Sequence, residues 1–282
     1  MAATTKTHFT IPIPKLGNNP GGSVVCTEPA PAVYLLTITS PPDNRLTVAS
    51  CGAILDALDL IEFDSSRFPQ KGVVVTTSGI PKFYSNGLDL ELALSDPSFL
   101  PESLYKLFAR FLTYPMPTIA LLNGHAFAGG LMLAMHHDYR VMNPSKGFAC
   151  VNELDFGVPL KPAMSAIFRL KLAPQVYRSV ALEANRFSGP TSLEAGIADA
   201  LGGLDDVIKL VDTKRLTTKG KTGIYGIMKA EMYRESLALL SPEGHAKQEK
   251  REREVIAKGE DDRRERGEKR VKELNVAGKA KL

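Results

Sequence analysis

Apolar and polar residues alternate along the chain in blocks that predict short buried strands separated by helices. Runs of β-branched residues bounded by glycine, proline or asparagine, a pattern typical of strands, lie at residues 32–39, 72–77, 118–122 and 139–142. Thr47 is placed to cap the helix that follows the first of these runs. The apolar face of that helix comprises Leu46, Val48, Cys51, Ile54, Leu55, Leu58 and Ile61. The alternation through about residue 172 predicts an α/β core with largely parallel strands.

Beyond about residue 173 the strand pattern stops, and the apolar spacing becomes helical. The predicted helices lie at residues 177–182, 191–200, 223–240 and 242–274. The last of them alternates in charge and has few large apolar residues, which predicts a solvated helix or frayed tail with i,i+4 ion pairs, the alternative being an interaction arm. We therefore divide the chain into a flexible leader (1–22), a core with the active site (23–190), a helical part (191–241) and a charged helical tail (242–282).

Composition excludes several function classes. The 282 residues are 44% apolar and 23% charged, enough for one large domain with an appendage or for two domains. The net charge of +4 is small, and basic residues are interleaved with acidic ones, which argues against a nucleic-acid surface. No apolar run approaches the roughly 20 residues that span a bilayer, and no secretion signal is evident, so we expect a soluble chain. The three cysteines are widely spaced and lie at Cys26, Cys51 and Cys150. Their spacing favours a reducing compartment without disulfides or zinc.

The last three residues form a candidate peroxisomal address. Ala280, Lys281 and Leu282 differ at one position from the Ser-Lys-Leu tail that peroxisomal import receptors bind. Such a signal is bound only at the extreme C terminus, which is where this tripeptide lies. The sequence therefore predicts a peroxisomal location, with the import receptor as a partner.

Two glycine-containing turns each follow a predicted strand and precede a predicted helix. The first is FYSNGLDL at residues 83–90, and the second is NGHAFAGGL at residues 123–131. The first backbone N–H groups of a helix lack partners within that helix, and with the helix dipole they favour negative charge on oxygen. A lone glycine turn usually reflects only steric permission. Two such turns could converge on one oxyanion.

These segments carry a resemblance to a known family. Residues 83–90 resemble the F-x-[SA]-x-G-x-D-[LI] segment of the enoyl-CoA hydratase/isomerase (crotonase) family, and residues 123–130 resemble its N-G-x-A-x-[AG]-G-G segment. Their order and separation also fit, and the resemblance extends over roughly residues 23–240. The sequence is most similar to the peroxisomal Δ3,Δ2-enoyl-CoA isomerases of plants and fungi. The resemblance implies an α/β fold with a crotonase-like ββα spiral core and a helical C-terminal part.

The resemblance also implies an acyl-CoA substrate whose thioester oxygen is held by two backbone N–H groups while a base removes an α-proton. In this sequence those N–H groups belong to Leu88 and Gly129. The CoA portion is implied to contact the first turn, at Ser85, Asn86, Gly87, Asp89 and Leu90. No cofactor and no metal are implied, since CoA is part of the substrate. A homotrimer or hexamer that assembles through the helical part is implied as well.

Two positions distinguish the reactions of this family. Hydratases carry two glutamates that position and activate water, and at the first of these positions the sequence has Met132, whose thioether cannot transfer protons. At the second position it keeps Glu153, which in an apolar acyl pocket should have a raised pKa. A single base is sufficient for a 1,3-proton shift from C2 to C4 of a 3-enoyl-CoA. The sequence therefore predicts a Δ3,Δ2-enoyl-CoA isomerase of fatty acid β-oxidation.

The remaining polar candidates are assigned structural roles. Asp155 shares the strand face of Glu153 but lies outside the catalytic position of the family. The His-His-Asp segment at residues 136–138 resembles a ligand cluster, yet adjacent side chains point in different directions and no third ligand is evident, so packing or capping is expected. His125 is expected to be structural. Lys221 and Lys229 could reach CoA phosphates, but we expect both lysines to be solvated.

Three alternatives remain open from the sequence alone. The chain could be a hydratase that uses Glu153 alone, or an enzyme of a secondary acyl-CoA pathway in peroxisomes. It could also be a non-catalytic acyl-CoA-binding relic that keeps the oxyanion turns. The presence of Glu153 disfavours the relic.

Overall fold

The computed structural model describes residues 6–17 and 19–279. Its strands are β1 (Lys6–Ile13), β2 (Gly22–Ala30), β3 (Val33–Thr39), β4 (Val73–Ser78), β5 (Phe83–Ser85), β6 (Thr118–Leu122), β7 (His125–Phe127), β8 (Tyr139–Met142), β9 (Ala149–Cys150) and β10 (Ala200–Leu201).

The α-helices form most of the remaining structure. They are α1 (Val48–Phe63), α2 (Leu90–Ser95), α3 (Tyr105–Thr113), α4 (Gly129–His136), α5 (Pro162–Lys171), α6 (Pro174–Leu182), α7 (Gly189–Glu194), α8 (Leu204–Thr213), α9 (Tyr225–Met232), α10 (Arg234–Leu240), α11 (Pro242–Arg251) and α12 (Lys258–Lys279). Short 3-10 turns lie at Leu154–Phe156 and Leu216–Thr218, and π-helical turns lie at Leu100–Leu104 and Glu252–Ala257. None of the described helices is both long and apolar enough to cross a membrane.

Two sheets organise the core. The larger sheet has the order β1-β2-β3-β4-β6-β8-β10, with antiparallel pairing up to β3 and parallel pairing beyond it. The smaller parallel sheet has the order β5-β7-β9. Successive strands from β4 to β9 therefore alternate between the two sheets, and a helix follows each pair. The predicted α/β class with a ββα spiral core and a helical C-terminal part is confirmed.

Strand β4 shows how the large sheet is buried on both faces. All six of its residues are buried, as expected for a central parallel strand. Val74 faces the main core, which includes residues of α1, α3 and α4. Val73 and Val75 face a second cluster that contains Val207 and Val211 of α8. Helices therefore cover both sides of the sheet.

Helix α1 begins as the sequence predicts. The Ser50 N–H donates to Thr47 Oγ1 at 3.1 Å, and the Thr47 N–H donates to Ser50 Oγ at 2.8 Å. These reciprocal bonds satisfy two backbone donors that the helix itself leaves free. The predicted apolar face is buried at Ile54 and Leu58, but Val48 in the first turn is 40% exposed.

The leader prediction is wrong for Lys6–Ile13, which forms strand β1. This strand pairs antiparallel with β2, and Phe9 and Ile13 are buried in the core. Apolar residues at alternate positions from Phe9 to Ile13 match a strand. Pro12 suggested a turn, but β1 is an edge strand, where proline is tolerated.

Two elements of the C-terminal half were not predicted. Strand β10 pairs in parallel with β8, although the strand pattern was expected to stop at residue 173. It has two residues, too few to produce a hydrophobic period. Helix α8 buries Val207 and Val211, although no helix was predicted for residues 204–213.

Candidate active site

The first glycine turn links β5 to α2 and is closed by hydrogen bonds of its own side chains. Gly87 has φ +90°, a conformation that favours glycine. Ser85 Oγ accepts from the Gly87 N–H at 3.2 Å. Asp89 Oδ1 accepts from the Leu92 N–H at 3.2 Å and caps α2. The N–H of Leu88 is left without an acceptor in residues 6–17 and 19–279.

The second glycine turn links β7 to α4 and lies against the first. A Cβ placed on Gly87 would lie 3.2 Å from Gly129 N, and one placed on Gly129 would lie 3.4 Å from Leu88 N. The Gly129 N–H, at the start of α4, also donates to no acceptor within the described part of the chain. The structure therefore brings the two predicted oxyanion donors together, at the positive end of a helix.

Close backbone packing fixes the two turns relative to each other. A Cβ on Gly130 would lie 2.4 Å from Ser85 O, so α4 approaches β5 at a distance that only glycine permits. Ala128, just before Gly129, has φ +48° and ψ −123°. A non-glycine residue in this conformation is strained, and such strain is often found at functional sites.

Residues 44–46, which were not predicted to belong to the site, hold the first turn through hydrogen bonds. The Leu46 N–H donates to Gly87 O at 2.8 Å, and the Asp89 N–H donates to Leu46 O at 3.2 Å. Asn44 has φ +53°, and its Nδ2 donates to Ser78 Oγ and Tyr84 O at 2.6 and 3.3 Å. The turn-forming sequence PPDN at residues 41–44 was the available signal.

The residues implied to bind CoA are largely occupied with one another and with this support. Ser85 is buried and donates its hydroxyl to Asn44 O at 2.7 Å. Asn86 Nδ2 donates to Asp43 Oδ2 at 2.7 Å, and the Asp89 carboxylate caps α2. Leu90 is 44% exposed. Contact of this turn with CoA would therefore rely on backbone atoms, with the side chains holding the turn in shape.

Glu153 follows the last strand of the small sheet. The Ala128 N–H donates to Cys150 O at 2.8 Å, so β9 is fixed directly beside the second turn. Glu153 is the third residue after Cys150, which limits the distance between their Cα atoms to about 10 Å. Glu153 Oε2 is buried and has no hydrogen-bond partner among the described residues. Burial raises the pKa of Glu153 to about 7.

Met132 lies in the second turn of α4 and is completely buried. Its side chain belongs to the main hydrophobic core. The N–H of Met132 donates to Ala128 O at 3.0 Å, which closes the first turn of the helix. Met132, the third residue after Gly129, therefore supplies a buried thioether and no proton-transferring group.

The two adjacent histidines are buried packing groups, whereas Asp155 is exposed. His136 stacks on Phe108 with ring centroids 4.1 Å apart, and burial lowers its pKa to about 3. His137 packs on Phe111 at 4.0 Å, and its Nε2 lies 2.9 Å from Thr76 Oγ1. Both imidazoles are packing groups, as predicted. Asp155 is exposed to solvent in the 3-10 turn.

Of the remaining candidates, His125 and Lys221 lie as expected, and Lys229 does not. His125 Nδ1 accepts from the Phe148 N–H at 3.1 Å, which gives it the expected structural contact. Lys221 is exposed. Lys229 is not the solvated lysine of the default prediction, because it is buried and paired with Asp138 at 2.8 Å. Burial lowers the pKa of Lys229. The pair joins α9 to the segment before β8.

Comparison with known proteins identifies the family of the chain. A model of the enoyl-CoA hydratase/isomerase family matches residues 28–257. The peroxisomal enoyl-CoA delta isomerase 1 of Arabidopsis thaliana is 34% identical and covers 73% of this chain and 88% of its own length. The peroxisomal delta isomerase 2 of the same plant is 30% identical, with coverage of 78% and 96%.

Solved structures resemble the fold. The human mitochondrial delta3-delta2-enoyl-CoA isomerase superposes with a TM-score of 0.65 at 20% identity, covering 74% of this chain and 82% of its own. An enoyl-CoA hydratase of Mycobacterium marinum gives a TM-score of 0.67 at 23% identity, with coverage of 82% and 98%. At these identities the structures inform the fold alone.

A ββα spiral with two adjoining glycine turns and a buried carboxyl oxygen defines an α/β enzyme of the crotonase-like fold. The chain belongs to the enoyl-CoA hydratase/isomerase family.

Proposed function

We propose that this enzyme moves the double bond of a 3-enoyl-CoA to give the 2-trans-enoyl-CoA, with Glu153 as its single base. The observation that carries the proposal is that Glu153 has a buried Oε2 without a hydrogen-bond partner among the described residues, while Met132 is buried and apolar. The names of the plant relatives, which are delta isomerases, support it. A 1,3-proton shift needs one group that both takes and returns a proton.

The proposed reaction uses the geometry of the two turns. The Glu153 carboxylate takes a proton from C2, and the electron pair of that C–H bond delocalises onto the thioester oxygen. The N–H groups of Leu88 and Gly129 hold the resulting dienolate, the role that oxyanion donors play in acyl chemistry. Protonated Glu153 then returns its proton to C4, and the double bond lies between C2 and C3. A carboxyl with a pKa of about 7 suits both steps near neutral pH.

The CoA portion is proposed to lie along the first turn. Backbone groups between Ser85 and Leu90 would contact it, since the side chains of Ser85, Asn86 and Asp89 are bound within the protein. No cofactor is needed for this chemistry, because the proton stays within the active site and CoA arrives with the substrate.

We place the enzyme in peroxisomal β-oxidation of unsaturated fatty acids. Two Arabidopsis relatives named as peroxisomal support this location. The tripeptide Ala280, Lys281 and Leu282 lies outside the described residues, so its role as the import signal is a proposal from sequence. Deleting it should move the enzyme to the cytosol and leave its kinetics unchanged. Unchanged import of the truncated chain would contradict that role.

Assembly as a homotrimer or hexamer is proposed through the helical part. Helix α9 leaves three large apolar side chains exposed: Ile227 at 66%, Met228 at 68% and Met232 at 65%. Such a pattern is typical of interaction surfaces. Light scattering of the purified chain would give the subunit number, and Ile227→Asp should lower it. A monomeric native chain would contradict the proposal.

One experiment separates the isomerase from its rivals. We expect the enzyme to isomerise a 3-enoyl-CoA at least roughly 100-fold faster than it hydrates the matching 2-trans-enoyl-CoA, the low end of what one acid–base group contributes. The reason is that Met132 offers no second carboxylate to position water. Comparable rates would indicate a hydratase that uses Glu153 alone. Binding of acyl-CoA without either reaction would indicate a relic.

A further inference from the structure

Helix α5 begins without a cap from its own sequence. Its N-cap residue, Lys161, forms no capping hydrogen bond, and Pro162 occupies the first turn. The Ala163 N–H nevertheless has an acceptor, because Gln248 Oε1 of α11 lies 3.1 Å away. A residue 85 positions further along the chain thus supplies the cap for α5.

Gln248 is itself held in a fixed orientation. Its Nε2 donates to Leu239 O at 2.9 Å and to Gly244 O at 3.0 Å. These bonds assign the amide so that the oxygen faces Ala163, since a carbonyl needs a donor and an N–H needs an acceptor. The cap therefore depends on how α10 and α11 pack.

Ion pairs reinforce the same junction. Lys161 Nζ lies 3.2 Å from Glu249 Oε1 and 2.5 Å from Glu252 Oε2. A third contact comes from His245, whose ring packs edge-on against buried Tyr105 at 5.7 Å. The first part of the charged tail, residues 242–252, is therefore docked on the core. Beyond it, the side-chain hydrogen bonds of the described residues connect the tail only with itself.

The residue on which α11 docks, Lys161, is close in sequence to Glu153. Eight positions separate Glu153 from Lys161. The turn after Glu153 closes on itself through the Val158 N–H, which donates to Glu153 O at 2.9 Å. Its side chains are largely solvent-exposed, with Leu154 at 53% and Phe156 at 69%. This segment is thus fixed at β9 on one side and at the start of α5 on the other.

We propose that α11 acts as a clamp on the segment that carries Glu153, with Gln248 and Lys161 as positioning residues for this carboxylate. The proposal rests on the proposed function of Glu153 as the base. Without the clamp, the start of α5 loses its cap and its ion pairs, and the adjoining segment gains freedom. Glu153 would then leave its reactive position for part of the time, and water would reach its carboxyl.

The test compares Lys161→Met and Gln248→Leu with the native full-length enzyme. We expect kcat to fall on the order of 10-fold while KM changes less than about 2-fold, because misplacement of a reacting group affects the chemical step. We also expect the acidic limb of the pH profile to move to lower pH by about half a unit or more, because hydration lowers the pKa of a buried carboxyl. Lys161→Arg keeps both ion pairs and should restore native values.

The control is Lys250→Met on α11, the helix that carries Gln248. Lys250 is exposed and pairs at 3.9 Å with Glu254 of the tail, so its loss should leave kcat and the pH profile unchanged. A native pH profile and a native kcat per folded enzyme in Lys161→Met would overturn the clamp, even if its melting temperature falls. A native chain without isomerase activity would instead overturn the proposed function together with the clamp. If Gln248→Leu does not fold, the Lys161 pair of variants decides the question.

Discussion

Helix α4 and the Glu153 turn border the same candidate site but differ sharply in burial. Every residue of α4 is buried. The Glu153 turn has exposed residues at Leu154 and Phe156, and its buried part is the carboxyl itself. The proposed oxyanion donor Gly129 thus lies in a fully buried helix, whereas the proposed base Glu153 lies on a partly exposed segment. Changes in the two regions should therefore affect different quantities.

The largest effect is expected in the turn. Glu153→Gln should lower kcat by about 100- to 10,000-fold, the range for loss of a general base. Acyl-CoA affinity should change little, because the oxyanion donors are backbone groups that the substitution leaves in place. Steady-state kinetics and calorimetric titration measure the two quantities. Asp155→Asn, in the same exposed turn, is the matched control and should retain native turnover; an equal loss there would remove Glu153 from its special role.

The pH dependence of the native enzyme should follow the same carboxyl. Only deprotonated Glu153 can accept the C2 proton, and its pKa is raised to about 7 by burial. We expect kcat/KM to be nearly constant above pH 7 and to fall about tenfold for each pH unit below it. A limb centred near 4.5, the ordinary value for a glutamate, would show that water reaches the group and that the turn is open.

The raised pKa also links activity to stability. Between about pH 4.5 and 7 the folded state binds more protons at Glu153 than the unfolded state does, so this group's contribution to stability falls as pH rises through that window. Glu153→Gln removes the cost of burying the charge. We expect its unfolding free energy at pH 8 to exceed that of the native enzyme by up to about 3 kcal/mol, with no gain at pH 4. Denaturant titrations at both pH values measure the difference.

Substitutions in the region of α4 should act through packing instead. Gly130→Ala places a methyl group 2.4 Å from Ser85 O, which is backbone and cannot move alone. We expect a loss of about 1–3 kcal/mol in stability, as for overpacked cores, together with reduced kcat. Gly52→Ala in α1 meets nothing within 4 Å and should be neutral or slightly stabilising. Native stability of Gly130→Ala would mean that the two turns are less closely packed than the structure shows.

The same contrast explains what the sequence could and could not predict. Strands β6 and β8 were predicted at their observed bounds, because each is a short, mostly apolar run bounded by turn residues. The two turns themselves suggested convergence on one oxyanion, but the choice of the Leu88 and Gly129 N–H groups came only from the family resemblance, since hydrogen-bond direction leaves no periodic signal. The support from Asn44 and the cap from Gln248 depend on tertiary contacts. No local pattern at either residue indicates its distant partner.

The smallest effect is expected at Ala128, where the two turns meet. Its φ of +48° disfavours any residue with a Cβ, so Ala128→Gly relieves strain in the folded state. Glycine also gains entropy in the unfolded state, and these opposing terms should leave a change of less than about 1 kcal/mol. Turnover should stay within about 2-fold of native, because the Gly129 N–H keeps its place at the start of α4. Ala128→Val provides the contrast, since a β-branched residue at positive φ should destabilise the protein by more than 1 kcal/mol. Thermal unfolding of both variants measures the difference. Equal stability of the glycine and valine forms would show that the backbone before Gly129 relaxes freely, and the oxyanion donors would then lack the rigidity that separates α4 from the Glu153 turn.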